Sequence, residues 1–193
     1  MSHFETACLI NNFLIAMPNL EDPEFFHTVS YICNHDENGA MGVTLNRQLD
    51  VGLGDLLDHL EMPTDDPEIA SIPVFAGGPV QADRGFVLHK TQKTSDTEWD
   101  VSMTVSDSIS LTMSQDIIEA IALNEGPQQF VIMLGYAGWS EGQLEQELLS
   151  NAWLSGQANE EVIFDTPVEQ KWDKAAKLLG VELGLLSTDI GHA

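Results

Sequence analysis

The most apolar run of the chain, FVIML at residues 130–134, constrains the fold most strongly. Consecutive apolar residues without polar alternation are typical of a strand that is buried on both faces, at the centre of a sheet. The Gly-rich segment GYAGW at 135–139 follows, and we expect it to form a turn into a helix opened by the capping box Ser140-x-x-Gln143. The rest of the chain must then supply neighbouring strands and covering helices.

Other segments of strand character are rich in apolar, β-branched or aromatic residues. They are residues 13–17, 28–34, 41–46, 72–76, 85–89, 98–105, 109–112 and 161–165. The second and third are joined through Asn38-Gly39, a step that tolerates positive φ, which predicts an antiparallel hairpin with a longer connection. Gly77-Gly78-Pro79 predicts a turn between the fourth and fifth.

Helices are predicted where apolar residues recur at helical spacing next to capping residues. The first carries one stripe formed by Leu53, Leu56, Leu57 and Leu60. The others cover residues 114–122, 140–148 and 166–179, and the last begins with the N-terminal signature Thr166-Pro167-x-Glu169. Together the elements predict an α+β fold of mixed α/β character, with helices packed on a mixed sheet, as a single domain over residues 1–193.

The charge of the chain excludes several classes of partner. With 31 Asp and Glu against 7 Lys and Arg, the formal net charge is −24, which disfavours direct contact with nucleic acid or anionic lipid. A hydrophobic fraction of 43% nevertheless indicates a folded chain. The start of the chain has no Lys or Arg before its apolar stretch, and residues 13–17 are too short for a membrane helix, so we expect a cytoplasmic protein with Cys8 and Cys33 as thiols.

A set of short motifs is spread over nearly the whole chain. They are LIAMP at 14–18, YICNH at 31–35, GAMGVTLNR at 39–47, GGPV at 77–80, DRGFVLH at 83–89, GYAGW at 135–139, GQLEQEL at 142–148, NAW at 151–153 and GHA at 191–193. In this order they resemble the AlgH/YqgE family of bacterial proteins. The resemblance implies a compact α/β protein with a mixed, partly barrel-like sheet and carries the label of a transcriptional regulator. It brings no catalytic residue.

The two arginines, Arg47 and Arg84, both lie inside these motifs. A guanidinium in so acidic a chain could anchor an anionic ligand through a bidentate fork. The alternative is an internal ion pair with one of the many carboxylates. Lys171, Lys174 and Lys177, which alternate with acidic residues on the last helix, indicate a solvated face.

The Gly-rich segments offer a second candidate anion site, formed by Gly77, Gly78, Gly135, Gly138 and Trp139. Backbone N–H groups between a strand and a helix N-terminus can hold an anion. The segments match neither GxGxxG nor the P-loop pattern, and no lysine is present in them. Glycines that serve a tight turn and close packing, with Trp139 as a core residue, are the alternative.

Cys33-x-His35 places a thiol and an imidazole on the same face of a predicted strand. With an arginine the pair could serve as a nucleophilic enzyme site, and with His27 or His89 as a metal site. The alternative is a small core cysteine, and we expect neither a metal nor a cofactor. Three functions stay open: a regulatory protein that binds a protein partner or a small anionic ligand, an enzyme centred on Cys33, and a direct DNA-binding regulator, which the charge disfavours. The oligomeric state is left open.

Overall fold

The structure, a computed structural model, describes residues 8–91 and 98–183. The chain divides into two contact-dense units. The first combines residues 1–46 with 138–193, and the second comprises residues 47–137. The prediction of one domain over the whole chain stays a prediction. Among the described residues, no helix has both the length and the apolar character needed to cross a membrane.

The first unit contains an antiparallel sheet in the order β10-β1-β2-β3. Its elements are β1 (Asn12–Ala16), β2 (Val29–Asp36), β3 (Gly39–Thr44), β10 (Trp153–Gln157), α4 (Gln143–Leu149) and α5 (Lys171–Leu178). The predicted hairpin is confirmed, but its connection is a tight two-residue turn, because Asp36 already pairs with Gly39. The Asp36 carboxylate accepts a hydrogen bond from the backbone N–H of Asn38 at 2.7 Å and so fixes this turn.

The second unit is built around β9 (Phe130–Ser140), most of which belongs to it. Its other elements are β4 (Gln48–Gly52), α1 (Leu53–His59), α2 (Pro67–Ala70), β5 (Pro73–Ala76), β6 (Val80–Lys90), β7 (Ser102–Thr104), β8 (Ile109–Thr112) and α3 (Asp116–Ala122). Ile132 pairs with Val74 of β5 in parallel and with Val87 of β6 in antiparallel register. The prediction that residues 130–134 form a central strand is therefore confirmed.

Apolar residues of α1 and α3 pack on the strands of the second unit. Leu53 and Leu57 of α1 and Ile117 of α3 are fully buried in one cluster with Ile132. These are residues that helical spacing selects, so both predicted helices are confirmed. The prediction is wrong at Leu60, which follows the last residue of α1 and is exposed. The α+β class with a mixed sheet and packed helices is confirmed as well.

Two predicted elements are wrong. GYAGW does not form a turn, because β9 continues to Ser140 and Tyr136 still pairs with Val80 of β6. Residues 161–165 are not a strand but a π-helical turn, Glu161–Asp165, closed by a hydrogen bond from the N–H of Thr166 to the carbonyl of Glu161 at 2.9 Å. Val162 and Ile163 are adjacent and both buried, which a strand with one buried face does not allow.

Candidate functional site

Three glycines in the second unit bring two distant segments into direct backbone contact. A Cβ atom on Gly77 would lie 2.2 Å from the carbonyl oxygen of Gly135, and one on Gly78 would lie 2.2 Å from the carbonyl carbon of Tyr136. A Cβ on Gly135 would in turn lie 2.3 Å from the carbonyl oxygen of Gly78. No side chain fits at these distances. We call Gly77, Gly78 and Gly135 the glycine junction.

The topology of the second unit explains why the junction is needed. β5 pairs with one edge of β9 and β6 with the other, since Leu134 pairs with both Ala76 and Gly85. The chain must therefore cross β9 within residues 77–79. The N–H of Gly77 donates to the carbonyl of Leu134 at 2.7 Å during the crossing and is not directed at a ligand. Close packing, the alternative to an anion site, thus accounts for these glycines.

Arg84 lies beside the junction on an excursion of β6. Between Val80, which pairs with Tyr136, and Gly85, which pairs with Leu134, residues 81–84 lie opposite Gly135 alone. A Cβ on Gly135 would approach the Cα of Ala82 to 3.1 Å, so the missing side chain also makes room for this excursion. Within the described parts of the chain, the exposed guanidinium of Arg84 makes no hydrogen bond or ion pair.

Arg47 has a different environment from Arg84. It is half-buried at the start of the second unit, and its carbonyl accepts a hydrogen bond from the N–H of Ala76 at 2.7 Å. Of the two arginines, Arg84 is the one that is open to an external anion.

Gly138 and Trp139 belong to the first unit, where Trp139 is a core residue. Its indole Nε1–H donates to Glu147 Oε2 at 2.9 Å, and that of Trp153 donates to the same oxygen at 2.7 Å. Phe25 packs against both indoles, at centroid distances of 6.2 and 5.4 Å. This carboxylate satisfies two buried indole donors, so the cluster stabilises the unit without presenting a free group.

Cys33 and His35 do not form a catalytic pair. A β-bulge shifts the register between Ile32 and Asn34, which interrupts the alternation on which the same-face argument depends. The Cys33 thiol is buried and donates to the carbonyl of Tyr31 at 3.6 Å, and its burial raises its pKa. Such a thiol is a poor nucleophile, because the thiolate is the reactive form.

Both ring nitrogens of His35 are engaged elsewhere. Nδ1 accepts a hydrogen bond from the N–H of Leu9 at 3.1 Å, which assigns the proton to Nε2. Nε2 lies 2.8 Å from Glu145 Oε1 and donates to it. His35 therefore ties β2 to α4 within the first unit.

A polar cavity in the second unit was not found from the sequence. Its volume is about 430 Å³, and its lining includes Glu98, Trp99, Asp100 and hydroxyl-bearing residues of β7 and β8. His89 lies in its wall, 4% exposed, with Nε2 at 2.8 Å from Thr112 Oγ1 and Nδ1 at 3.1 Å from the carbonyl oxygen of Lys90. Burial lowers the pKa of His89, so its imidazole is neutral at neutral pH. The alternation of the hydroxyl-bearing residues Ser110 and Thr112 along β8 is the sequence pattern that could have indicated this polar region.

The solvated face predicted for the last helix is wrong at Lys171. This residue is 4% exposed, and its Nζ donates to the carbonyl of Ile163. Burial lowers the pKa of Lys171 to about 8, an effect that the charge of Asp165 opposes. Lys174 and Lys177 do lie on a solvated face, paired with Glu161 and Asp173. The predicted helix begins with a short 3₁₀ turn, Val168–Gln170, and Lys171 is the first residue of α5 directly after it.

The fold and the site together define an α+β protein with a mixed sheet and a glycine junction that presents one exposed arginine. The AlgH-like family model matches residues 13–184, and the chain belongs to this family. The GHA motif at 191–193 lies outside the described residues.

Similar proteins extend over almost the whole chain. A UPF0301 protein of Thioalkalivibrio sulfidiphilus is 52% identical over 95% of this chain and 96% of its own length. The solution structure of the AlgH protein from Pseudomonas aeruginosa is 41% identical, covers 100% of both chains and superposes with a TM-score of 0.79. A crystal structure from Corynebacterium diphtheriae, 22% identical over 97% of this chain and 95% of its own, has a TM-score of 0.74 and shares the fold.

Proposed function

We propose that this protein is a non-enzymatic regulatory protein that binds an anionic group, carried by a small ligand or by a protein partner, at Arg84. The observation that carries the proposal is the exposed guanidinium of Arg84, which has no partner within residues 8–91 and 98–183 although the chain contains 31 Asp and Glu residues. A guanidinium offers a planar fork that matches a carboxylate or a phosphate.

The backbone around Arg84 has a specific conformation that depends on its neighbours in the fold. Gln81 adopts a positive φ of 49°, a conformation that costs free energy in a residue with a side chain. The excursion of residues 81–84 packs over Gly135, so its shape depends on the glycine junction. Three of the family-like motifs, GGPV, DRGFVLH and GYAGW, thus contribute to one place, where Arg84 is the exposed cation and Asp83 the exposed carboxylate beside it in the sequence.

The charge distribution argues against direct DNA binding. Phosphate contacts require several available cations. On the last helix Lys171 is buried, while Lys174 and Lys177 pair with carboxylates. A regulatory role therefore fits a protein partner or a small ligand better than nucleic acid.

Thermal unfolding with pyrophosphate tests the small-ligand form of the proposal. Titrations of wild type, Arg84→Gln and Lys174→Gln are compared at ionic strength matched with NaCl, because salt alone screens the repulsion of a chain with net charge −24. Lys174→Gln is the control, since it makes the same charge change at a half-buried residue of the last helix, outside the glycine junction. At a ligand concentration of about ten times Kd we expect a rise in Tm of roughly 3 °C for wild type and the control, and none for Arg84→Gln.

Affinity capture tests the protein-partner form. Tagged wild type and Lys174→Gln should retain the same protein from a bacterial extract, and Arg84→Gln should lose it. The proposal fails if Arg84→Gln matches wild type in both experiments, or if neither experiment detects binding to wild type.

A further inference from the structure

We propose that the polar cavity beside His89 binds an uncharged ring compound that carries two vicinal hydroxyls, as a nucleoside or a free sugar does. This site is separate from Arg84 in both residues and ligand charge. The volume of about 430 Å³ lies within the range of small-molecule sites, roughly 300–1,000 Å³.

The chemistry of the lining selects the ligand class. Glu98 and Asp100 present carboxylates, which only accept hydrogen bonds. Two adjacent hydroxyls of a ligand donate to a carboxylate in a bidentate manner. The lining also includes Lys90, but two carboxylates outnumber this one cation, so the cavity disfavours an anion. The hydroxyls of Ser102, Thr104 and Ser110 both donate and accept, so they suit the remaining hydroxyls of such a ligand and leave an apolar ligand poorly matched.

Trp99 lies between the two carboxylates in the sequence and supplies an aromatic surface to the cavity. Its ring is nearly perpendicular to that of His89, at 84°, with the centroids 6.4 Å apart. A ring compound can stack on an indole, either through a base or through the C–H face of a sugar. A carboxylate next to an indole therefore favours a ring with hydroxyls over a flexible polar chain.

The walls of the cavity are held in place before any ligand binds. The N–H of Asp100 donates to Asp116 Oδ2 at 2.8 Å, and the N–H of Val101 donates to Ser114 Oγ at 3.0 Å. Elsewhere around the cavity, Thr112 Oγ1 lies 3.0 Å from Ser102 Oγ, and Thr91 Oγ1 lies 3.0 Å from Ser110 Oγ. Such preorganisation reduces the entropy lost on binding.

An NMR titration of the tryptophan indole N–H signals tests this proposal. The chain has four tryptophans, and the signal of Trp99 is assigned by its loss in Trp99→Phe. The probes are adenosine, glucose, 2′-deoxyadenosine, which lacks the vicinal diol of adenosine, and choline, an organic cation. The variants are Glu98→Gln and a control with the same charge change, Asp107→Asn, at an exposed residue outside the lining.

We expect the Trp99 signal to shift saturably with adenosine or with glucose, and the compound that shifts it identifies the ligand as a nucleoside or a sugar. Affinity should fall roughly tenfold or more in Glu98→Gln through loss of a charge-assisted hydrogen bond, and stay at the wild-type value in Asp107→Asn and in Arg84→Gln. Saturable binding of adenosine and 2′-deoxyadenosine with equal affinity, a shift with choline alone, or no shift with any probe would overturn the proposal.

Discussion

There is no room for a side chain at Gly135. The cost of adding one there can be measured separately from the cost of its positive φ. Gly135 and Gly142 adopt nearly the same positive φ, 72° and 70°, but a Cβ on Gly135 would lie 2.3 Å from a carbonyl oxygen, whereas one on Gly142 would meet nothing within 4 Å. Gly142→Ala should cost about 1 kcal/mol of unfolding free energy, from φ alone. Gly135→Ala should cost about 3 kcal/mol, because overpacking adds to it. Urea unfolding measures both, and equal losses would show that the junction is not close-packed.

Cys33 and Cys8 differ in exposure, so the reactivities of the two thiols can be compared within the same protein. Cys8 is exposed, while Cys33 is buried with a raised pKa. In the folded protein at neutral pH, iodoacetamide should modify Cys8 at least roughly tenfold faster than Cys33, as read by mass spectrometry of the two peptides. In urea the two rates should converge. Faster modification of Cys33 than of Cys8 in the folded state would restore the enzyme hypothesis.

Among the helices and strands, hydrophobic periodicity correctly predicted those elements whose structure depends on their own side-chain pattern. The apolar run at 130–134 and the ISLT strand at 109–112 form as expected, and the leucine stripe of α1 forms as far as Leu57. The wrong predictions concern segments whose secondary structure depends on contacts with residues distant in the sequence. GYAGW stays in a strand that residues 77–79 cross, and EVIFD forms a π-helical turn that buries the adjacent Val162 and Ile163. Neither long-range contact leaves a periodic signal in the sequence.

The burial of Lys171, at the start of α5, predicts that the free energy of unfolding depends on pH. Its pKa is about 8 in the folded chain against 10.5 for an ordinary lysine, so the unfolded chain holds the extra proton between these values. Stability therefore rises as pH increases through this window, by up to about 3 kcal/mol, and this contribution is absent below about pH 8. Urea unfolding at about pH 7 and about pH 9.5 should show the rise in wild type and in Lys174→Met, and not in Lys171→Met. An equal rise in Lys171→Met would assign it to other groups.

At the scale of the whole molecule, the sequence was sufficient to predict the family and the fold class, which the AlgH-like match over residues 13–184 and the solution structure from Pseudomonas aeruginosa confirm. It was not sufficient to predict the site. Arg47 and Arg84 looked equivalent as motif arginines, and only the register of β6 against β9 exposes Arg84. The polar cavity likewise depends on residues 89–91 and 98–116, which the fold places together.

We propose that the glycine junction presents Arg84 to an external anion in a chain of net charge −24. Backbone amide NMR during titration with inorganic phosphate, at constant ionic strength, tests it most directly. The predicted result is a saturable set of shifts confined to residues 81–85 and Gly135, unchanged in Lys174→Gln and absent in Arg84→Gln. Shifts that persist in Arg84→Gln, or that appear only elsewhere in the chain, would contradict it.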